Sequence, residues 1–211
     1  MDFKKDKEEP DNGKEQNSEA IKIILIGDAG TGKTNLIMVS AGYQFDSESL
    51  TTRACSFIQK KFTFNNATYK VNIWDTIGQE KYRALTKVFV KESKIIILVY
   101  DITNRNSFES LSFWKSIIDD LIKDSHVIGI VGNKMDLYTK EEVKEEEVEE
   151  YAKSIGVKYL LTSAKTDAIS FNKFLEELLQ DFLEIGVPEE RIESFSLNRK
   201  KTENKGKKKC C

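Results

Sequence analysis

The sequence predicts an α/β fold with a doubly wound, mainly parallel sheet of six strands, one antiparallel edge strand and helices on both faces. From Ile21 onward short apolar runs alternate with helical segments, which is typical of β-α units around a parallel sheet. A glycine-rich loop at residues 27–34 joins the first apolar run to the first helical segment. The second and third runs lie on either side of the turn-prone dipeptide Asn65-Asn66, which predicts a hairpin and therefore one antiparallel neighbour.

The predicted strands are short and rich in β-branched or aromatic residues, as in a buried sheet. They cover residues 21–26, 56–64, 69–74, 95–100, 127–132 and 159–162. The predicted helices have apolar residues at helical spacing. They follow the loop lysine, Lys33, and cover residues 82–90, 107–124, 140–155 and 169–184. In a sheet of this kind ligands bind at the carboxyl ends of the strands.

At 211 residues the chain has room for one domain with tails. We predict a disordered N-terminal arm at 1–19, the domain at 20–185 and a flexible basic tail at 186–211. No stretch of 18 uncharged apolar residues occurs, and the first 16 residues lack an apolar core, so we expect neither a transmembrane helix nor a signal peptide. Three cysteines, two of them terminal, indicate neither a disulfide framework nor a zinc site.

Charge is unevenly distributed along the chain. Residues 198–209 hold seven basic residues and one acidic residue, although the net charge of the whole chain is −2. The remaining body is therefore acidic, which argues against nucleic-acid binding over its surface.

The loop reads G-x-x-x-x-G-K-T between a predicted strand and a predicted helix, the setting of a phosphate-binding loop. Gly27 and Gly32 allow tight turns and close backbone approach, and backbone N–H groups of the loop surround the anion. Lys33 reaches the β- and γ-phosphates, and the Thr34 hydroxyl can bind Mg²⁺. The predicted nucleotide-binding residues of this region are Asp28, Ala29, Gly30, Thr31, Gly32, Lys33, Thr34 and Asn35.

Three further motifs follow predicted strands. Asp75 begins D-x-x-G, which ends at Gly78; its carboxylate can hold Mg²⁺ through water, and the Gly78 N–H can contact a γ-phosphate. Asn133, Lys134 and Asp136 form N-K-x-D. Asp136 can accept hydrogen bonds from guanine N1–H and the 2-amino group, which adenine cannot donate there.

The last motif is Ser163-Ala164-Lys165, which directly follows the final predicted strand. Its Ala164 N–H could be presented to guanine O6.

In this order the four motifs resemble those of the small GTPases of the Ras superfamily, over about residues 21–184. The resemblance implies the G-domain fold of P-loop NTPases, bound GTP or GDP with Mg²⁺, and slow GTP hydrolysis. It also implies that Phe45 stacks edge-on to the guanine ring, that Thr52 binds Mg²⁺ and the γ-phosphate in the GTP state, and that Gln79 orients the attacking water. Lys33, Thr52 and Gln79 are thus the implied catalytic residues.

Within the superfamily the Rab family is the most similar. The runs 74–76, 78–83 and 98–104 are Rab-like, Phe57, Trp74 and Phe89 resemble the aromatic triad that Rabs offer to effectors, and Cys210 and Cys211 resemble their double prenylation site. The resemblance implies a monomeric switch in vesicle traffic, on the cytoplasmic face of an endomembrane and cycling with the cytosol. Its implied partners are effectors, an exchange factor, a GAP, and prenylation escort and GDI-type proteins.

The chain departs from the Rab pattern at four positions. Arg53 and Ala54 replace the usual Ile-Gly after the switch threonine, which leaves effector identity open. Ile77 replaces alanine beside Gly78 and puts a stiff β-branched side chain next to Gln79, so either the switch repacks around it or hydrolysis slows. Ala29 stands where many Rabs have serine, at the place where a GAP arginine would approach.

Two other functions remain open at this point. The chain could hold GTP with negligible turnover as a scaffold, or it could be a P-loop kinase or ATPase. A kinase needs an acceptor site and has no use for the guanine-selecting Asp136.

Overall fold

The computed structural model describes residues 14–15, 19–46, 56–76 and 88–185. Six of its strands form one sheet in the order β3-β4-β2-β5-β6-β7, and a two-residue strand, β1, pairs with the start of β4. The strands are β1 (Lys14–Glu15), β2 (Ile21–Ile26), β3 (Ser56–Phe64), β4 (Ala67–Asp75), β5 (Ile95–Asp101), β6 (Val127–Asn133) and β7 (Lys158–Leu161). Every pairing is parallel except β3 with β4. The predicted fold class is therefore confirmed.

The antiparallel pair is the predicted hairpin. Asn65 and Asn66 both have positive φ, 50° and 62°, the combination that a two-residue turn of the right twist requires. Asparagine tolerates this region better than most residues. The two asparagines thus set the register of β3 on β4.

Helices cover both faces of the sheet. They are α1 (Lys33–Ser40), α2 (Arg105–Leu121), α3 (Glu145–Ser154) and α4 (Ala168–Ile185), with a 3₁₀ helix at Met135–Lys140. Apolar side chains of α1 and α4 pack on one face, and those of α2 and α3 pack on the other. Strand β5 lies between the two layers and is buried along its whole length, which explains why it reads as an unbroken apolar run.

The predicted helix at 140–155 is wrong in its first part. Glu142 and Val143 donate their backbone N–H groups to the Ile102 carbonyl, so this segment is tied to the end of β5 and cannot be helical. Helix α3 begins only at Glu145, where the Glu147 carboxylate accepts the Lys144 N–H at 3.1 Å, half of a capping box.

The remaining helix boundaries agree with the sequence within a few residues. Residues 88–90 are helical, while the rest of the predicted helix at 82–90 lies outside the described residues. Within the described ranges no helix is both long and apolar enough to cross a bilayer.

The carboxyl ends of β2, β4, β5, β6 and β7 lie at one edge of the sheet because these strands are parallel. At this edge each strand is followed by a segment that leaves the sheet. These segments start at residues 27, 76, 102, 134 and 162. The topology therefore places the four sequence motifs side by side.

Candidate functional site

The glycine-rich loop packs closely against its neighbours. A Cβ at Gly27 would collide with the Val99 carbonyl of β5. Gly32 has φ of 90°, and a Cβ there would collide with the Asn133 side chain. Only glycine fits either position, so the loop between β2 and α1 has the backbone shape that an anion cradle needs.

Lys33 is the buried cation of the loop. Its ammonium donates to the carbonyl oxygens of Gly27, at 2.8 Å, and Asp28, at 2.7 Å. Burial lowers the pKa of Lys33 to about 8, although the carboxylates of Asp75 and Asp28 oppose this shift. A phosphate beside the ammonium would favour the charged form, so the side chain is placed to gain from an anionic ligand.

Thr34 and Asp75 bring hard oxygen atoms together at the start of α1. The Thr34 hydroxyl donates to the Asp75 Oδ2 at 2.7 Å, and Asp75 is buried at the end of β4. Hydroxyl and carboxylate oxygens are the donors that Mg²⁺ takes from proteins. The pair therefore fits the predicted metal site.

Asn133 connects two motifs. Its side-chain amide donates to the Thr31 carbonyl of the glycine-rich loop at 2.8 Å. Its Oδ1 accepts the Ala164 N–H at 3.0 Å. One buried side chain at the end of β6 thus holds the phosphate loop and the Ser163-Ala164-Lys165 segment together. The predicted contact of the Ala164 N–H with guanine O6 stays a prediction, because here this group binds Asn133.

Asp136 is held by Ser163. The Ser163 hydroxyl donates to Asp136 Oδ1 at 2.6 Å, and its oxygen accepts the backbone N–H groups of Lys165, at 3.1 Å, and Thr166, at 3.3 Å. A hydrogen bond from the Ser163 hydroxyl therefore fixes the orientation of the carboxylate that the sequence assigns to guanine recognition.

Sequence reasoning missed the partner of Lys134. Its ammonium lies 2.6 Å from the Asp101 carboxylate at the end of β5, and Lys134 has a left-handed φ of 71°. Asp101 also accepts from the Thr103 backbone and hydroxyl. The strand pattern could have indicated this pair, because parallel pairing of β5 with β6 puts Asp101 opposite Asn133, the residue before Lys134.

A second missed contact joins the loop to α2. The Trp114 indole N–H donates to the Asp28 Oδ1 at 2.9 Å. The two residues are 86 positions apart, and no local pattern in the sequence indicates the pair.

Phe45 and the aromatic triad lie within the described residues. Phe45 is part-exposed, and the Asn35 amide anchors its neighbour by donating to the Asp46 carbonyl at 3.0 Å. Phe57 stacks on Trp74 with ring centroids 4.8 Å apart, and Trp74 lies 6.1 Å from Phe89. The structure thus brings the triad together. The predicted residues Thr52, Gly78, Gln79, Cys210 and Cys211 lie outside the described residues.

Comparison with known proteins gives a consistent result. The model of the Ras family matches residues 22–184. The chain is 36% identical to human Ras-related protein Rab-21 over 162 residues. This alignment covers 77% of the chain and 70% of the relative. It is 35% identical to Ras-related protein RABA2a of Arabidopsis thaliana over 164 residues, 78% of this chain and 75% of the relative. Ras-related protein Rab-21 of the sponge Geodia cydonium is 35% identical, with 79% and 72% covered.

Proposed function

The chain belongs to the Ras superfamily as a Rab-like small GTPase that acts in membrane traffic, and from this premise we propose which residues bind and hydrolyse its nucleotide. The observation that supports the proposal best is the Asn133 side chain, which hydrogen-bonds both to the phosphate loop and to the segment after β7. These two hydrogen bonds support a site in which the phosphate and base contacts belong to one unit.

At the phosphate end, the N–H groups of residues 28–35 surround the phosphates and the Lys33 ammonium binds the β- and γ-phosphates. Thr34, Thr52 and, through water, Asp75 would hold Mg²⁺, which when bound neutralises charge on the phosphate oxygens. Lys33 stabilises the charge that develops during hydrolysis.

At the base end, Asp136 accepts from guanine N1–H and the 2-amino group. Ser163 fixes the orientation of the carboxylate. Asn133, Lys134, Ala164 and Lys165 complete the base pocket, and Phe45 covers the ring. Fluorescent GDP bound to the protein tests this assignment: excess GDP or GTP should displace it, whereas equal concentrations of ATP should not. Displacement by ATP would contradict it.

Gln79 orients the attacking water, and Ile77 beside it slows the reaction. Single-turnover hydrolysis should be slow in the wild type and several-fold faster in Ile77→Ala, because the substitution removes a stiff β-branched side chain close in sequence to Gln79. Equal rates would remove the claim about Ile77. If a matching GAP accelerated neither protein, the alternative of a GTP-holding scaffold would be favoured.

Cys210 and Cys211 carry two prenyl groups, and the basic residues before them are attracted to anionic lipid. Two lipid chains are enough for stable anchoring. The protein then acts on the cytoplasmic face of an endomembrane and cycles with the cytosol as a monomer, with effectors that dock on Phe57, Trp74 and Phe89. An exchange factor, a GAP, and escort and GDI-type proteins regulate the cycle.

A tagged chain tests the anchor. The wild type should sediment with membranes, and deletion of Cys210 and Cys211 should move most of it to the soluble fraction. A variant that neutralises Lys207, Lys208 and Lys209 but keeps both cysteines is the control for charge alone. Equal membrane fractions for the wild type and the deletion would contradict lipid anchoring.

A further inference from the structure

The second residue of the phosphate loop carries a negative charge. Asp28 follows Gly27 directly, in a loop that binds a polyanion according to the proposed function on which this inference rests. A carboxylate at this place repels phosphate and attracts the ammonium of Lys33. Both effects weaken nucleotide binding unless the carboxylate is held elsewhere.

The structure holds it on helix α2. The Trp114 indole N–H donates to Asp28 Oδ1 at 2.9 Å, and Trp114 is 1% exposed within the core beneath α2. Phe113 packs edge-on against the Trp114 ring, with centroids 5.4 Å apart. The donor is therefore fixed in direction by packing, and a buried indole N–H needs an acceptor.

The main chain of Asp28 has a different set of partners. Its carbonyl oxygen accepts from the Lys33 ammonium at 2.7 Å and from the Thr31 hydroxyl at 3.0 Å. The residue thus gives its carbonyl to the loop and its carboxylate to α2. We propose that Trp114 is a positioning residue which keeps the Asp28 carboxylate on α2, so that the Lys33 ammonium remains available to phosphate.

The test compares the release of fluorescent GDP and of a fluorescent non-hydrolysable GTP analogue from the full-length protein. In Trp114→Phe the ring packing is largely kept but the donor is lost. Release should accelerate about tenfold, the size expected for one hydrogen bond to a charged group, and more for the GTP analogue because it carries more negative charge. Ile118→Val, a buried change on the same helix, is the control for lost stability and should release both nucleotides at the wild-type rate.

The decisive variant is Trp114→Phe with Asp28→Asn. Without the charge, the free side chain no longer competes for Lys33, so release should slow again towards the wild-type rate although the indole donor is still missing. A purely structural role of Trp114 predicts no such rescue. Unchanged release in Trp114→Phe, equal acceleration in Ile118→Val, or a double variant as fast as Trp114→Phe would each overturn the proposal.

Two variants keep the test valid if Trp114→Phe does not fold. Asp28→Glu moves the carboxylate away from the indole by one methylene and should accelerate release, whereas Asp28→Gln, its uncharged match, should accelerate it less; equal rates would overturn the proposal. Failure of the wild type to bind guanine nucleotides at all would instead contradict the proposed function.

Discussion

The two ends of the nucleotide site are built from different interactions. At the base end, Asp136 is fixed by the Ser163 hydroxyl and Asn133 by an amide and a carbonyl. At the phosphate end, burial lowers the pKa of the Lys33 ammonium, and the nearby carboxylates of Asp75 and Asp28 offset part of that shift. On the proposed assignment, recognition of the base depends on the geometry of hydrogen bonds, while affinity for phosphate depends on the charge of Lys33.

This difference separates selectivity from affinity. Hydrogen-bond geometry selects the base, because a ligand that lacks a matching donor leaves a buried acceptor unpaired. A buried ammonium whose pKa is about 8 changes its charge with pH near neutrality. Variants at the two ends should thus have effects of different kinds as well as sizes.

The largest effect is expected at the base end, for Asp136→Asn. The amide cannot accept both guanine donors but can donate to the 2-oxo group of xanthine, so affinity for GDP should fall by about a thousandfold or more while XDP becomes the preferred ligand. Competition of both nucleotides against fluorescent GDP or XDP measures the change. Unaltered GDP affinity would mean that another residue selects the base.

At the phosphate end, Lys33→Met removes the charge but keeps a long side chain. GDP and GTP should both bind about one hundredfold more weakly, because a charged hydrogen-bond donor to phosphate is lost, while selectivity over XDP is retained. Lys60→Met is the control. This lysine is half-buried, donates to the Ser40 carbonyl and the Asn172 side chain, and, like Lys33, has a pKa lowered by burial, but it lies on β3 outside the site. The Lys60→Met variant should bind GDP within about twofold of the wild type, because a substitution away from the site changes the free energy only slightly. Similar losses in both variants would remove Lys33 from the site.

The pH dependence should follow Lys33. Because the pKa of this group is about 8 in the folded protein and 10.5 in a model compound, the unfolded chain binds more protons between these values. The free energy of unfolding of the nucleotide-free protein should therefore rise with pH above about 8, by at most about 1.4 kcal/mol per pH unit. The affinity for phosphate should fall over the same range, because the ammonium loses its charge. Thermal melts and GDP titrations at pH 7 to 9 measure the two slopes. Both pH slopes should vanish in Lys33→Met. A slope that persists in this variant would show that another titratable group causes it.

The smallest effect is expected for Ser163→Ala. Asp136 stays charged but loses one positioning bond, so GDP affinity should fall about tenfold without a gain for XDP. Ser154→Ala, whose hydroxyl donates to the Tyr151 carbonyl within α3, is the control. A gain in XDP binding by Ser163→Ala would contradict a purely orienting role.

The sequence predicted contacts within motifs better than contacts between them. Runs such as residues 95–100 indicate buried strands because they are short and rich in β-branched residues, and Asn65-Asn66 indicates the turn. The break before Glu145 was missed because it depends on hydrogen bonds to Ile102, some 40 residues away in the chain. The pairs Lys134 with Asp101 and Trp114 with Asp28 were missed for the same reason: each residue has an ordinary local explanation, and only the folded chain shows the partner.

The most direct measurement is the affinity of the wild type for GDP and for IDP, which lacks the 2-amino group, from pH 6.5 to 8.5. Both affinities should decline together as Lys33 loses its proton near pH 8, while their ratio stays constant and favours GDP, because Asp136 does not depend on that proton. A ratio that changes with pH while the affinity for GDP stays level would contradict the separation of base selectivity from phosphate affinity.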